Sequence, residues 1–386
     1  MTRDRTRRVK PPGVAKALLA WYGRAGRDLP WRRSRDPYRI WVSEVMLQQT
    51  QVERVREFFA RFIARLPTVA ALAAAREAEV LRLWEGLGYY RRARQLHQAA
   101  QRIMADHAGE FPRTAAALRG LPGIGRYTAG AIASIAFDEP EPIVEANSRR
   151  VIARLVGHAA AVGDASGDEP LWRAAAALVP RRQPGRFNQA LMDLGAMVCT
   201  PDAPRCGDCP LARMCVARRA GTVALIPAPT RRRPVQLVRE TAVVVRRAGR
   251  VLVVRRGADE WWSGLWDFPR VAGPAVRSTN GIAASPLLAG LGCGRPERLD
   301  TIAHSVTHHR ITLDVVACAG TRAGGRAADR RWVAAAELAR LAMTAPARRI
   351  ARMVTQLPAA RRAVTATTMP RQQAKGRCDH RIRIAR

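Results

Sequence analysis

Four cysteines crowd one short stretch of this chain: Cys199, Cys206, Cys209 and Cys215, spaced C-x6-C-x2-C-x5-C within 17 residues. Four thiolates at that spacing can enclose one metal centre, and by chemistry alone tetrahedral zinc and a [4Fe-4S] cluster both satisfy it. Glu44 invites a second kind of chemistry. It lies among Ile40, Trp41, Val45 and Leu47, so its carboxyl is partly removed from water, which raises its pKa and favours a form able to donate a proton. Glu145, in PIVEANSRRV, stands between two readings, a surface acid and a second reacting carboxylate. The stretch LPGIG, Leu121 to Gly125, places a proline and two glycines between helical segments. Such a hairpin exposes backbone N–H groups beside a helix N-terminus and can hold a phosphate.

These residues need a helical frame, and the sequence supplies one. From about Val14 to Arg219 apolar residues recur at three and four spacing. Asp36 followed by Pro37 predicts an N-cap and a helix through PYRIWVSEVMLQQ, stopping near Gln49. Thr50 to Glu53 has the form of a capping box that would open a second helix running to Leu66. An Ala/Leu helix ending near Gly120 and the segment YTAGAIASIAF flank the hairpin.

The formal net charge of +35 rests almost wholly on arginine, since lysine occurs only at Lys10, Lys16 and Lys375. Such an excess suits a polyanion, nucleic acid foremost, although GC-rich coding also inflates arginine. A 48% hydrophobic content supports real cores. Apolar runs all fall short of the roughly 18 residues that span a bilayer, and the start MTRDRTRRVK leads into no signal-peptide core. The expectation is a soluble, cytoplasmic, nucleoid-associated monomer with no membrane partner. In that compartment clustered cysteines argue for metal rather than disulfides.

The hairpin, an acid some twenty residues on, and the cysteine spacing together resemble the endonuclease III superfamily of base-excision glycosylases. SEVMLQQTQV (Ser43 to Val52), WEGLGYYRRARQLH (Trp84 to His97) and FNQALMDLGAMVCT (Phe187 to Thr200) resemble its MutY-type adenine glycosylases, over about Leu18 to Arg219. The resemblance implies a [4Fe-4S] cluster on the four cysteines and double-stranded DNA carrying 8-oxoguanine:A or G:A mispairs as partner. It implies that Glu44 protonates the purine, that the carboxylate at 145 stabilises the sugar cation, and that Asn147 positions the water and the acid. The family places aspartate where Glu145 stands, so this carboxylate is one methylene longer and activity could be weakened or silenced, leaving a lesion binder. Tyr127 occupies the place of the lysine that gives other members strand-cleaving activity, which implies a monofunctional enzyme. Gln49 and Tyr89 match wedge residues beside the lesion, with Leu47 and Gln48 close by, while Leu121, Gly123 and Gly125 belong to the phosphate-holding hairpin.

Ile226 to Gln236, with three prolines and an Arg triplet, reads as a linker. Beyond it TAVVVRRAGRVLVVRR predicts a β-hairpin about an Ala-Gly turn. WWSGLWDFP (Trp261 to Pro269) and HSVTHHRITL (His304 to Leu313) resemble the family's MutT-like (Nudix) domain. By that resemblance Thr307 and His308 would read 8-oxoguanine, with Val306 in place of the usual phenylalanine. The stretch after Pro269 lacks the acids of a metal-binding Nudix helix, which implies recognition without hydrolysis. The expected fold is therefore a mainly α helix-hairpin-helix glycosylase domain over 1–225, a linker over 226–236 and a smaller α/β Nudix-like domain over 237–360. A basic tail, expected to be disordered, would occupy 361–386.

Overall fold

The computed structural model describes residues 11–160, 165–228, 234–273, 288, 291–322 and 329–356. The tail, and most of the acid-free stretch after Pro269, lie outside them. Two compact units emerge: Met1–Pro234 with Gly257–Leu265 and Leu341–Ala345, and Val235–Arg256 with Trp266–Arg340 and Pro346–Arg386. Among the described residues no helix is long and apolar enough to cross a membrane.

The first unit is helical and holds two cores. One gathers α2 (Pro37–Leu47), α3 (Val52–Arg65), α6 (Arg91–His107) and α8 (Arg126–Phe137) around Trp41, Phe59, Phe62, Trp84 and Ile132. The other joins α1 (Pro11–Ala25), α9 (Ala146–Val156), α10 (Ala165–Leu178) and α11 (Pro184–Met197) through Leu18, Ile152, Leu171, Phe187 and Leu191. Two large apolar clusters in one helical unit leave their boundary free for polar groups, and the candidate site sits there.

Asp36 caps α2 as the sequence predicts, its carboxylate accepting from the Tyr38 N–H at 2.9 Å. The helix ends at Leu47, two residues before Gln49. The predicted capping box at Thr50 does not form. Gln49 turns the chain through a left-handed φ of 56°, and the Thr50 hydroxyl donates to the Gln48 carbonyl at 3.3 Å instead. Gln51 consequently becomes the N-cap of α3, without a side-chain bond.

The hairpin lies between the short α7 (Ala115–Leu118) and α8, whose N-cap is Gly125. Gly123 takes φ +75°, and a Cβ there would lie 2.6 Å from Gln95 Cβ. Only glycine fits both demands. Ile226, expected to open the linker, is instead buried in the second core and its carbonyl accepts from Arg154 Nε at 2.8 Å.

In the second unit β1 (Gln236–Arg247) and β2 (Arg250–Arg255) form the expected hairpin, with left-handed Ala248 and Gly249 at its turn. β3 (Trp266–Asp267), β4 (Arg270–Ala272), β5 (Glu297–Val306), β6 (His309–Ala319) and β7 (Arg330–Ala334) complete a mixed sheet. Its main path runs β3-β2-β1-β6-β5, with β4 on β1 and β7 on β2. The β1–β6 pair is parallel and the other pairs are antiparallel. The near-continuous valines of β1 fit a strand covered on both faces, and α13 (Ala345–Gln356) buries Ile350, Ala351 and Val354.

Candidate active site

Glu44 is 4% exposed on α2, a position that water cannot reach freely. Burial raises its pKa, against the Tyr127 hydrogen bond and the Arg32 charge, which lower it; the nearby Glu145 charge adds to the rise. The Tyr127 hydroxyl donates a short hydrogen bond to Glu44 Oε2 and lies 3.8 Å from Met192 Sδ. Tyr127 is itself held neutral, its pKa driven well upward by burial and then by the Glu44 charge. Burial in this setting favours the protonated carboxyl, with the Tyr127 bond on one oxygen and the other left to carry the proton.

Glu145 faces the same space from a different support. It is the N-cap of α9: Oε2 accepts from the Asn147 N–H and Oε1 from the Ser148 N–H, both at 2.8 Å. The positive end of a helix stabilises negative charge placed there. Asn147 Oδ1 accepts from Arg150 Nη2 at 3.0 Å, and the same guanidinium reaches the Gly195 carbonyl at 2.7 Å and, through Nε, the Cys199 carbonyl at 2.7 Å. Gly195 permits this close approach of α11 to α9, since a Cβ there would sit 2.7 Å from Asn147 Cβ.

Glu44, Tyr127, Glu145 and Asn147 line one cavity of about 660 Å³, together with Leu47, Gln48, Gln49 and Met192. The structure thus brings together all four predicted catalytic side chains. Gln48 is steadied by a 3.4 Å bond from Nε2 to the Thr128 hydroxyl. The cavity wall also holds Arg27 and Arg32, which the sequence reading did not single out. Both bind the fully buried Asp193: Arg32 through two bonds of 2.7 and 3.0 Å, Arg27 through its backbone N–H at 2.9 Å and Nε at 2.8 Å. Burial pushes the Asp193 carboxyl up, but the two guanidinium partners prevail and hold it below the usual range. These residues lie more than 160 positions apart in the chain, so no local pattern could have shown the pairing. Asp193 inside the apolar run LMDLGAM was the available clue, because a charge there must be paired.

The two expected wedge residues are exposed and backbone-strained. Gln49 has φ 56° and Tyr89 φ 49°, conformations costly for side chains other than glycine. Arg92, 9% exposed, ties their loops together. Its Nη1 donates to the carbonyls of Val45 (2.8 Å), Met46 (3.1 Å) and, in a short bond, Gln48, while Nη2 reaches Gly88 O at 3.2 Å. The guanidinium also lies 5.5 Å from the Tyr89 ring centroid. Leu121 is buried, with Gly123 and Gly125 at the hairpin's turn and at the start of α8.

Cys199, Cys206, Cys209 and Cys215 line one recess, with Val198, Ala212 and Val223 among its walls. Burial pushes the Cys209 thiol up to about 11, and the charges of Cys199, Cys215 and Cys206 add to the rise. Arg154 Nη1 lies 3.3 Å from Cys199 Sγ, and Cys215 Sγ lies 3.3 Å from the Arg154 carbonyl oxygen. Among the described residues no three His, Cys, Asp or Glu side chains converge on a point for one ion. By the chemistry of four thiols around one recess, tetrahedral zinc and a [4Fe-4S] cluster both remain open.

In the second unit Thr307 and His308 form the turn between β5 and β6, with Thr307 at φ 52°. The Thr307 hydroxyl is 3.3 Å from His308 Nδ1 and 3.4 Å from His309 Nδ1, and the two imidazoles lie 4.1 Å apart between centroids.

Two carboxyls on one cavity beside a helix-hairpin-helix define a class, and residues 42–166 match the model of the HhH-GPD superfamily base excision DNA repair proteins. Residues 241–353 match a NUDIX domain. The adenine DNA glycosylase of Mus musculus is 34% identical over 86% of this chain and 76% of its own length. That of Mycolicibacterium smegmatis is 48% identical over 62% of this chain and 79% of its own. The chain spans a smaller share of other relatives, 39% of the Homo sapiens protein, to which it is 46% identical. A solved thermostable thymine-DNA glycosylase is 30% identical, with a TM-score of 0.47 over 53% of this chain and 95% of its own. The chain belongs to the adenine DNA glycosylase family and is a DNA N-glycosylase, a hydrolase.

Proposed function

We propose that this protein is a monofunctional adenine DNA glycosylase of base excision repair, removing adenine mispaired with 8-oxoguanine or guanine. The observation that carries the reading is a buried Glu44, its pKa raised by that burial, on the same cavity as Glu145. A paired base cannot reach that cavity, so the adenine nucleotide leaves the stack. Gln49 and Tyr89, exposed and held by the Arg92 network, would fill the gap it leaves. Glu44 then protonates the purine ring and makes it a better leaving group, while the Tyr127 hydroxyl holds the other carboxyl oxygen. As the glycosidic bond breaks, the carboxylate of Glu145 stabilises the positive charge developing on the sugar. Asn147, oriented by Arg150, positions the attacking water. With tyrosine at 127 no amine is offered to the sugar there, which supports release of base without strand cleavage.

Cys199, Cys206, Cys209 and Cys215 would hold a [4Fe-4S] cluster. When bound, such a cluster supplies a one-electron redox centre and cross-links its loop. Thr307 and His308 would read the 8-oxoguanine, and the second unit would recognise without hydrolysing.

Single-turnover release of adenine from an 8-oxoguanine:A duplex tests the reading, with G:A alongside. The natural protein is expected to release adenine with no borohydride-trapped adduct. Release only by Glu145→Asp would favour a silenced lesion binder, the reading that the longer side chain keeps open. A trapped adduct would overturn the monofunctional assignment.

A further inference from the structure

Glutamate is a poor choice for an N-cap. The favoured residues, Ser, Thr, Asp and Asn, are short enough to reach the N2 and N3 amides without extra torsions, and one more methylene frees the carboxylate to swing. Glu145 nonetheless places each oxygen on a separate amide at 2.8 Å, with its backbone extended at φ −130° and ψ 179°. The residue that makes this possible is Ser148. It is fully buried, and its Oγ accepts from the Glu145 N–H at 2.9 Å and donates to the Glu145 carbonyl at 3.3 Å. Its own N–H is one of the two that the carboxylate grips. Both peptide groups flanking the Glu145 Cα are thus tied to one immobile side chain.

We propose that Ser148 is the positioning residue for the catalytic carboxylate of this chain. Its hydroxyl fixes the backbone frame from which the long Glu145 side chain can fold back onto the helix end and still face the cavity. The proposal deepens the glycosylase reading and rests on it. Ser148 does not itself line the cavity, so it acts only through Glu145. Displacements of about 1 Å at a reacting group can cost on the order of a hundredfold in rate, and a loosened carboxylate would lose part of that.

The test is a double-mutant cycle of Ser148→Ala with Glu145→Asp, read as single-turnover adenine release and as duplex affinity. Ser148→Ala should slow release about tenfold in the natural chain while affinity and helical content stay unchanged. In the Glu145→Asp chain, whose shorter side chain has less to constrain, the same change should cost less than about threefold. Ser148→Thr, which keeps a hydroxyl, should recover part of the loss. Equal costs in both backgrounds would overturn the proposal, since they would mean an ordinary structural role. Hydrogen exchange gives a readout independent of activity: Ser148→Ala should deprotect the Asn147 and Ser148 amides in the natural chain and much less in Glu145→Asp. Unchanged protection sinks the positioning role. Absent adenine release in every background, with the exchange pattern as expected, would instead remove the glycosylase reading and leave the positioning of Glu145 standing.

Discussion

The two glutamates on the cavity are the same residue held by opposite means. Glu44 reaches the cavity from α2 while only 4% exposed, and its partner is a side chain 83 positions away, Tyr127. Glu145 is half-buried at a helix end, and its partners are amides two and three positions away. The first environment withholds solvent and so favours the proton; the second holds each carboxyl oxygen on a backbone N–H at the helix end. Glycosidic cleavage needs one of each, an acid for the leaving group and an anion for the sugar. On the proposed reading, that division of labour follows from where each carboxyl is anchored, since the chemical group is identical.

The sharpest way to break this comparison is to remove the acid. Glu44→Gln keeps the shape and the Tyr127 bond but has no proton to give. Single-turnover release should fall by on the order of 10² to 10⁴-fold with duplex affinity retained. A fall of only a few-fold would mean that the proton comes from elsewhere and that the two carboxyls do not divide the work as their surroundings indicate.

The two walls should also differ in how they fail. The Glu44 side leans on the buried Asp193 with Arg27 and Arg32, whose side chains are 26% and 9% exposed. Asp193→Ala leaves two cations without their partner, and denaturant unfolding should show a loss of about 3–5 kcal/mol. Loss of the Ser148 hydroxyl on the Glu145 side removes bonds within one turn and should cost nearer 1 kcal/mol. Comparable losses would mean that the second wall is also held from afar.

That contrast explains what the sequence disclosed. Burial of Glu44 was legible because Ile40, Trp41, Val45 and Leu47 flank it on a helix whose start Asp36-Pro37 marks. The four cysteines were legible because their spacing is local. The capping box was misplaced: Thr50-x-x-Glu53 carries the familiar order, whereas the box that forms is Glu145-x-x-Ser148, with the roles reversed. Asp193 with its arginines, and Arg92 under the wedge loops, depend on contacts across 42 to 166 positions. Long-range ion pairs leave only a buried charge in an apolar run as their trace.

The smallest expected effect is a displacement along the pH axis, and it separates the anchoring of Glu44 most finely. The Tyr127 hydrogen bond favours the ionised carboxyl and so lowers the Glu44 pKa, while burial, the larger influence, raises it. Tyr127→Phe keeps the ring in its packed place and removes that bond together with the weak hydroxyl contact to Met192 Sδ. The Glu44 pKa must then rise further. On the proposed reading the protonated form is the active one, so adenine release should fall as pH climbs through this pKa, and in Tyr127→Phe that alkaline fall should move to higher pH. Stability follows the same sign. A folded-state pKa above the unfolded value gives a contribution that is complete below the ordinary glutamate range and is lost as pH rises through the folded value. The variant should therefore keep that contribution to a higher pH than the natural chain. A pH-rate profile that stays put, or moves toward acid, would show that the tyrosine does not act on the Glu44 proton, and the short Oη to Oε2 contact would then be packing alone.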